Sequence, residues 1–160
     1  MMRGILVCLV ALILSAAVAH AAPKAELFGG YQYTHFDGGT SKNGWNAALT
    51  GNLNRWFGVT ADFSDVYGSG VSFQTYTFGP EISAHLPIVK PFAHALFGGA
   101  RASAAGVSTN GFDMMFGGGV DAGQGLLAWR VAQFDWMTTR FSGITDRKNV
   151  RVSTGLVLRF

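Results

Sequence analysis

An all-β fold is predicted: eight antiparallel strands, joined up-and-down and closed into a barrel that crosses a membrane. Three observations predict it. The last stretch alternates, with Val150, Val152, Thr154, Leu156, Leu158 and Phe160 on one face. Arg151, Ser153, Gly155, Val157 and Arg159 fall on the other, and such a period of two marks a strand with one apolar face. Second, only 13% of the residues are charged. Yet after residue 22 no apolar run nears the ~18 residues of a spanning helix, so the apolar residues are dispersed by alternation. Third, the chain has 22 Gly, and its aromatic residues make up 13%. That composition suits a membrane barrel and suits helices badly, because each interior Gly costs a helix ~1 kcal/mol.

The amino end is read as a secretory signal peptide over residues 1–21, which leaves 22–160 as the barrel domain. Arg3 supplies the positive start, Ile5 to Leu14 the apolar core, and Ala19-His20-Ala21 the small-any-small cleavage site. Cys8 is the only cysteine and leaves with this segment, so no disulfide or thiol chemistry is expected. Without Arg3 the chain keeps 11 basic residues of the original 12, against 9 acidic ones. That balance does not call for nucleic acid.

Strand one covers about Ala25 to Phe36, with Leu27, Gly29, Tyr31 and Tyr33 outward and Glu26, Gly30, Gln32 and Thr34 inward. A polar loop, Asp37 to Asn43, follows. Strand two, Gly44 to Leu53, sets Trp45, Ala47 and Leu49 against Asn46, Ala48, Thr50 and Asn52, and a tight turn leads on from it. Strand three, Trp56 to Asp65, sets Phe57, Val59, Ala61 and Phe63 against Thr60, Asp62 and Ser64; the loop Val66 to Val71 comes next. Strand four, Ser72 to His85, sets Tyr76, Phe78, Pro80 and Ile82 against Thr75, Thr77, Glu81 and Ser83. Pro80 lacks a ladder donor, so a bulge is expected there.

Leu86 to Lys90 reads as a turn. Strand five, Pro91 to Arg101, has Ala93, Ala95 and Phe97 outward and His94 inward, and a polar loop, Ala102 to Gly111, follows. Strand six, Phe112 to Ala122, sets Phe112, Met114, Phe116 and Val120 against Asp113, Met115 and Asp121; Gly123-Gln124-Gly125 turns the chain. Strand seven, Leu126 to Met137, breaks its period. Phe134 and Trp136 face out and Gln133 and Asp135 in, but Arg130 has the wrong parity. A bulge near Val131 reconciles them. The polar loop Thr138 to Lys148 leads to strand eight.

Loops after odd strands are longer and more polar than turns after even ones, as in barrels with both termini in the periplasm. Aromatics gather near strand ends: Trp45, Phe63, Phe73, Phe112 and Trp136 toward the loops, and Trp56, Phe57, Phe92 and Phe160 toward the turns. Two interfacial girdles follow. The final residues, Ser153, Gly155, Leu158 and Phe160, resemble the carboxy-terminal assembly signal of bacterial outer-membrane barrels. With the stretch Arg130 to Trp136, they make the chain similar to the small eight-stranded outer-membrane barrels, the superfamily of outer-membrane proteins A and X. The resemblance implies outer-membrane lipid and the barrel assembly machinery as partners, a monomer, and a bacterial outer-membrane location. With strand eight last, no wall-tethering domain is expected.

Most acidic residues fall on inward positions, Glu26, Asp62, Glu81, Asp113, Asp121 and Asp135, together with Arg130, Arg151 and Arg159. Side chains fill an eight-stranded lumen, and charges there must be paired. A lumen ionic network is therefore expected. It has Glu26 on Arg159 across the seam of strands one and eight, Arg151 near Asp135, and Arg130 near Glu81 or Asp121. Barrel lipid A deacylases use an outward His and Ser with a Glu, but none of His35, His85 and His94 has a Ser two residues on. A metal would need Glu81 beside His85 and His94. Gly117-Gly118-Gly119 lacks the Lys and helix of a phosphate loop and reads as relief for a crowded lumen. No enzyme activity, cofactor or metal is expected. The favoured reading is a structural or interaction barrel with a polar, plugged lumen and extracellular loops for contact. A soluble lipocalin-like barrel, with its apolar face inside, is the alternative; a narrow small-solute pore is another.

Overall fold

The computed structural model describes residues 23–160 apart from Ser69; the predicted signal peptide lies outside the described residues. Eight strands close into one antiparallel barrel in chain order: β1 (Ala25–His35), β2 (Ser41–Asn52), β3 (Phe57–Gly68), β4 (Val71–Ser83), β5 (Val89–Ala104), β6 (Val107–Ala122), β7 (Leu127–Phe141) and β8 (Ile144–Arg159). Closure pairs β1 with β8 from Glu26↔Arg159 to His35↔Val150. Neither strand keeps a free edge, as hydrocarbon surroundings require.

Strict alternation decides which face is which. Phe78 is 66% exposed, Phe134 60% and Leu156 57%, while Arg151 is fully buried. The apolar face is outside and the charges are inside. This is the reverse of a lipocalin and the arrangement of a membrane-spanning barrel, so the soluble-barrel alternative fails on the test set for it.

Two expected bulges have opposite outcomes. In β7, Val120 faces Ala132 but Asp121 faces Arg130; on the other side, Arg130 faces Gly155 and Gln133 faces Ser153. One extra residue at Val131–Ala132 thus turns Arg130 inward. The Thr154 hydroxyl clamps the slip, donating to the Arg130 carbonyl at 2.9 Å while accepting from Trp129 Nε1 at 2.9 Å. Pro80 makes no bulge. It pairs with Val59 on β3, and the β5 ladder skips Gly79 and Pro80 with the same register on either side. The missing N–H is absorbed by a gap in one ladder.

The loops also differ from expectation. Only residues 105–106 join β5 to β6, and only 142–143 join β7 to β8. Ala105 and Gly106 have φ of 48° and 81°, and Ser142 and Gly143 have 44° and 91°. Two successive positive φ values match the right-handed twist of a hairpin, so the polar segments zip into strand instead of looping. The asymmetry lies instead between two sides of the barrel, and it is one of strand length. β5, β6 and β8 have 16 residues each and β7 has 15, against 11, 12, 12 and 13 for β1 to β4. Two of the predicted girdle aromatics turn inward, Phe73 at 8% exposure and Phe92 at 6%. Each shares the parity of its strand's lumen residues, Thr75 in β4 and His94 in β5.

Candidate functional site

The lumen is filled in three tiers, counted from the end that carries both termini. The first centres on Lys90, 1% exposed. Its Nζ donates to Glu26 Oε2 at 2.7 Å and to Glu81 Oε1 at 3.0 Å. Thr60 donates to Glu81 Oε2 at 2.7 Å. His85 Nε2 lies 3.1 Å from Glu26 Oε1, which also accepts from Asn52 Nδ2 at 3.2 Å. Glu26 is therefore saturated, and the expected Glu26–Arg159 ion pair does not form, although the two residues are register partners and both face inward. Lys90 sits deeper in the lumen and takes the carboxylate.

Lys90 is what the sequence reading missed. Placed in a turn, it had no face. With β5 extended back to Val89, it is two residues before Phe92 and four before His94, on the inward parity. That parity was the available signal; Pro91, read as the strand's first residue, hid it.

The second tier is a chain of charges. Arg130 donates through Nε to Asp121 Oδ1 at 2.7 Å and through Nη2 to Asp121 Oδ2 at 3.2 Å. Its guanidinium lies between two rings, 4.3 Å from the Phe28 centroid and 4.2 Å from that of Phe92, a stacking that planar Arg favours. Arg130 also donates to Gln133 Oε1 at 2.7 Å, and Gln133 Nε2 donates to Asp135 Oδ2 at 2.7 Å. Arg151 Nε donates to that same Asp135 oxygen at 2.7 Å. Its Nη1 and Nη2 grip Asp62 at 2.7 and 3.2 Å. His94 Nε2 lies 2.7 Å from Asp135 Oδ1. Glu81 is not a partner of Arg130; it belongs to the first tier.

The third tier is apolar. Val66, Phe73, Leu96, Ala100, Met115 and Met137 form a buried cluster flanked by Phe36 and Phe141. A smaller cluster of Phe28, Ala48, Ala128 and Val157 lies lower. The filling of the lumen is therefore mixed: buried Thr34, Ser64, Thr75, Thr139 and Asn149 stand around or beyond this apolar cluster. Val157 faces in as expected, but into an apolar pocket. Asp113 is at the edge of this tier and accepts from Thr139 Oγ1 at 2.8 Å.

Glycine makes room for these tiers. A Cβ on Gly117 would collide with the Asp135 carboxylate, and one on Gly30 with the Phe28 ring and the β8 backbone. The histidines disperse. His85 goes to Glu26 and His94 to Asp135, so Glu81 does not unite them as metal ligands. His35 is exposed, with Nδ1 2.8 Å from Ser41 Oγ. Those two are direct cross-strand partners, so register alone accounts for the contact. Of the carboxy-terminal positions, Ser153 and Gly155 face the lumen, whereas Leu158 and Phe160 face out at 38% and 62% exposure.

No family model matches the sequence, and no curated protein matches it. Solved structures do. Neisserial surface protein A has a TM-score of 0.62 at 12% identity, covering 85% of this chain and 96% of that one. The N-terminal β-barrel domain of Pseudomonas aeruginosa OprF has 0.61 at 7% identity, covering 88% and 100%. Ail, the attachment invasion locus protein of Yersinia pestis, has 0.53 at 16% identity, covering 87% and 99%. At such identities the likeness is one of fold. A closed barrel of eight strands, apolar outside and ionic within, aligned with these structures over most of its length, has the fold of the small outer-membrane β-barrels.

Proposed function

We propose that this chain is a non-conducting outer-membrane barrel that acts through its far rim, gripping polyanionic partners at the cell surface. The observation that carries the reading is a lopsided rim. The far parts of β5 to β8 carry Arg101, Arg140, Arg147 and Lys148, all exposed, at and above the level of the outward aromatics Phe112 and Trp136. The shorter β1–β4 side carries Lys42, Asp37 and Asp65 in the same region. Arg147 and Lys148 stand where β8 spends three residues against two of β7, between Met137↔Asn149 and Thr139↔Asp146. Trp136 Nε1 donates to the Arg147 carbonyl there.

Clustered guanidinium and ammonium groups favour sulfate and phosphate partners. A similar barrel, Ail, has been solved in complex with the heparin analogue sucrose octasulfate, and that compound is the natural probe. The barrel in nanodiscs should bind it with an affinity that falls as salt rises. Arg140→Glu combined with Arg147→Glu should lower affinity at least tenfold. Unchanged binding in the double variant, or no binding by the parent, overturns the reading. The filled tiers argue against a solute path, so reconstituted protein should show no unitary conductance; steady channels would restore the pore reading. Outside the rim, the partners are outer-membrane lipid on the apolar belt and, during biogenesis, the assembly machinery reading Ser153, Gly155, Leu158 and Phe160.

A further inference from the structure

We infer that a recess at the terminal end of the barrel binds a small oxyanion, a carboxylate or a phosphate, on the guanidinium of Arg159. The recess has a volume of about 450 Å³, with walls that include Pro23, His85, Pro87, Gly123, Gln124 and Arg159. None of its lining residues is acidic. Arg159 faces inward, yet it has no carboxylate partner among the described residues. Its Nη1 holds one long bond, 3.3 Å to the Gly123 carbonyl. Its Nε and Nη2 are buried and have no partner among the described residues.

A guanidinium cannot escape this position by losing its proton. Buried donors without acceptors cost free energy. The nearest acid by register, Glu26, is taken: Lys90 holds one oxygen at 2.7 Å, and His85 and Asn52 approach the other at 3.1 and 3.2 Å. What the Arg159 fork still lacks is a pair of oxygens in one plane, the geometry of a carboxylate or phosphate edge. Rotation about its last side-chain torsion presents two N–H groups side by side to an anion in the recess. Gly123 and Gly125 have φ of 140° and 72°, so the turn at the mouth is made without bulk, and exposed Gln124 adds an amide donor beside it. The volume lies within the ~300–1,000 Å³ range of small-molecule sites. The anion can therefore be one group of a larger molecule.

The test is the thermal unfolding midpoint of the barrel refolded in zwitterionic detergent. Inorganic phosphate or succinate replaces chloride at constant ionic strength. A saturable rise with phosphate alone, succinate alone or both supports the site and tells which anion it takes. Arg159→Gln should abolish the rise, and Arg159→Lys should weaken it at least tenfold in concentration, because an ammonium has no fork. Gln124→Glu, on an exposed turn, should weaken it similarly without burdening the fold. No saturable rise in the parent, or the same rise in Arg159→Gln and Gln124→Glu, overturns the site.

Discussion

Arg151 is the residue on which most of the lumen depends. Fully buried, it faces Asp62 and Asp135 at once. Arg151→Met would leave two carboxylates in a dry interior with one counter-charge removed. Stranding a buried partner in this way costs ~3–5 kcal/mol. A urea titration in detergent micelles should show that loss, and adding Asp62→Asn should recover part of it. An unchanged midpoint in Arg151→Met would mean that Asp62 and Asp135 find other partners. Lys90→Met should behave alike, because it frees Glu26 and Glu81 together. Parity alone made Arg151 and Asp135 legible as neighbours in the sequence. It could not reveal the choice of Lys90 over Arg159 by Glu26, because alternation assigns a face and not the depth a side chain reaches.

At the scale of the element, β7 is the informative strand. Its bulge was legible because Arg130 and Asp135 could not otherwise share the lumen. Deleting Val131 removes the extra residue and leaves Arg130 two places before Gln133, so plain alternation keeps both inward and the Asp121 contact can persist. The deleted protein should therefore still fold and show heat-modifiable gel mobility. Failure to fold would mean that the bulge itself, with the Thr154 clamp on it, is required. The far hairpins were not legible. Thr138 to Lys148 looks like a loop because both its faces are polar, and only the Ser142-Gly143 pair signals a two-residue turn. Gly143, at φ 91°, is intolerant of a side chain, so Gly143→Val should weaken the β7–β8 hairpin by ~1–2 kcal/mol. Hydrogen exchange of β8 amides from Ile144 to Asn149 should speed up while the barrel below stays protected.

The molecule as a whole is defined by an outer surface that only lipid can cover. Phe78→Arg separates that claim from any water-facing alternative. In vesicles the change should cost up to ~2–4 kcal/mol according to depth, whereas on a wetted surface it would be neutral or better. The fold class was legible early because eight alternating segments and seven turns repeat one signal. The apolar third tier was not. Val66 and Phe73 stand at the ends of segments that read as loop and girdle, and only closure reveals that they meet Leu96 and Met115.

Gly117 also marks a position closed to change. Beside its missing Cβ stand the Asp135 carboxylate and, just as near, the carbonyl oxygen of Phe134, with the Cα of Asp135 behind them. Asp135 in turn holds His94, Gln133 and Arg151. A smaller residue at 135 would remove the carboxylate and leave the backbone obstacle in place, so no change at 135 or 151 makes room at 117. In a library that randomises all three positions, functional clones should keep Gly at 117 whatever the other two carry.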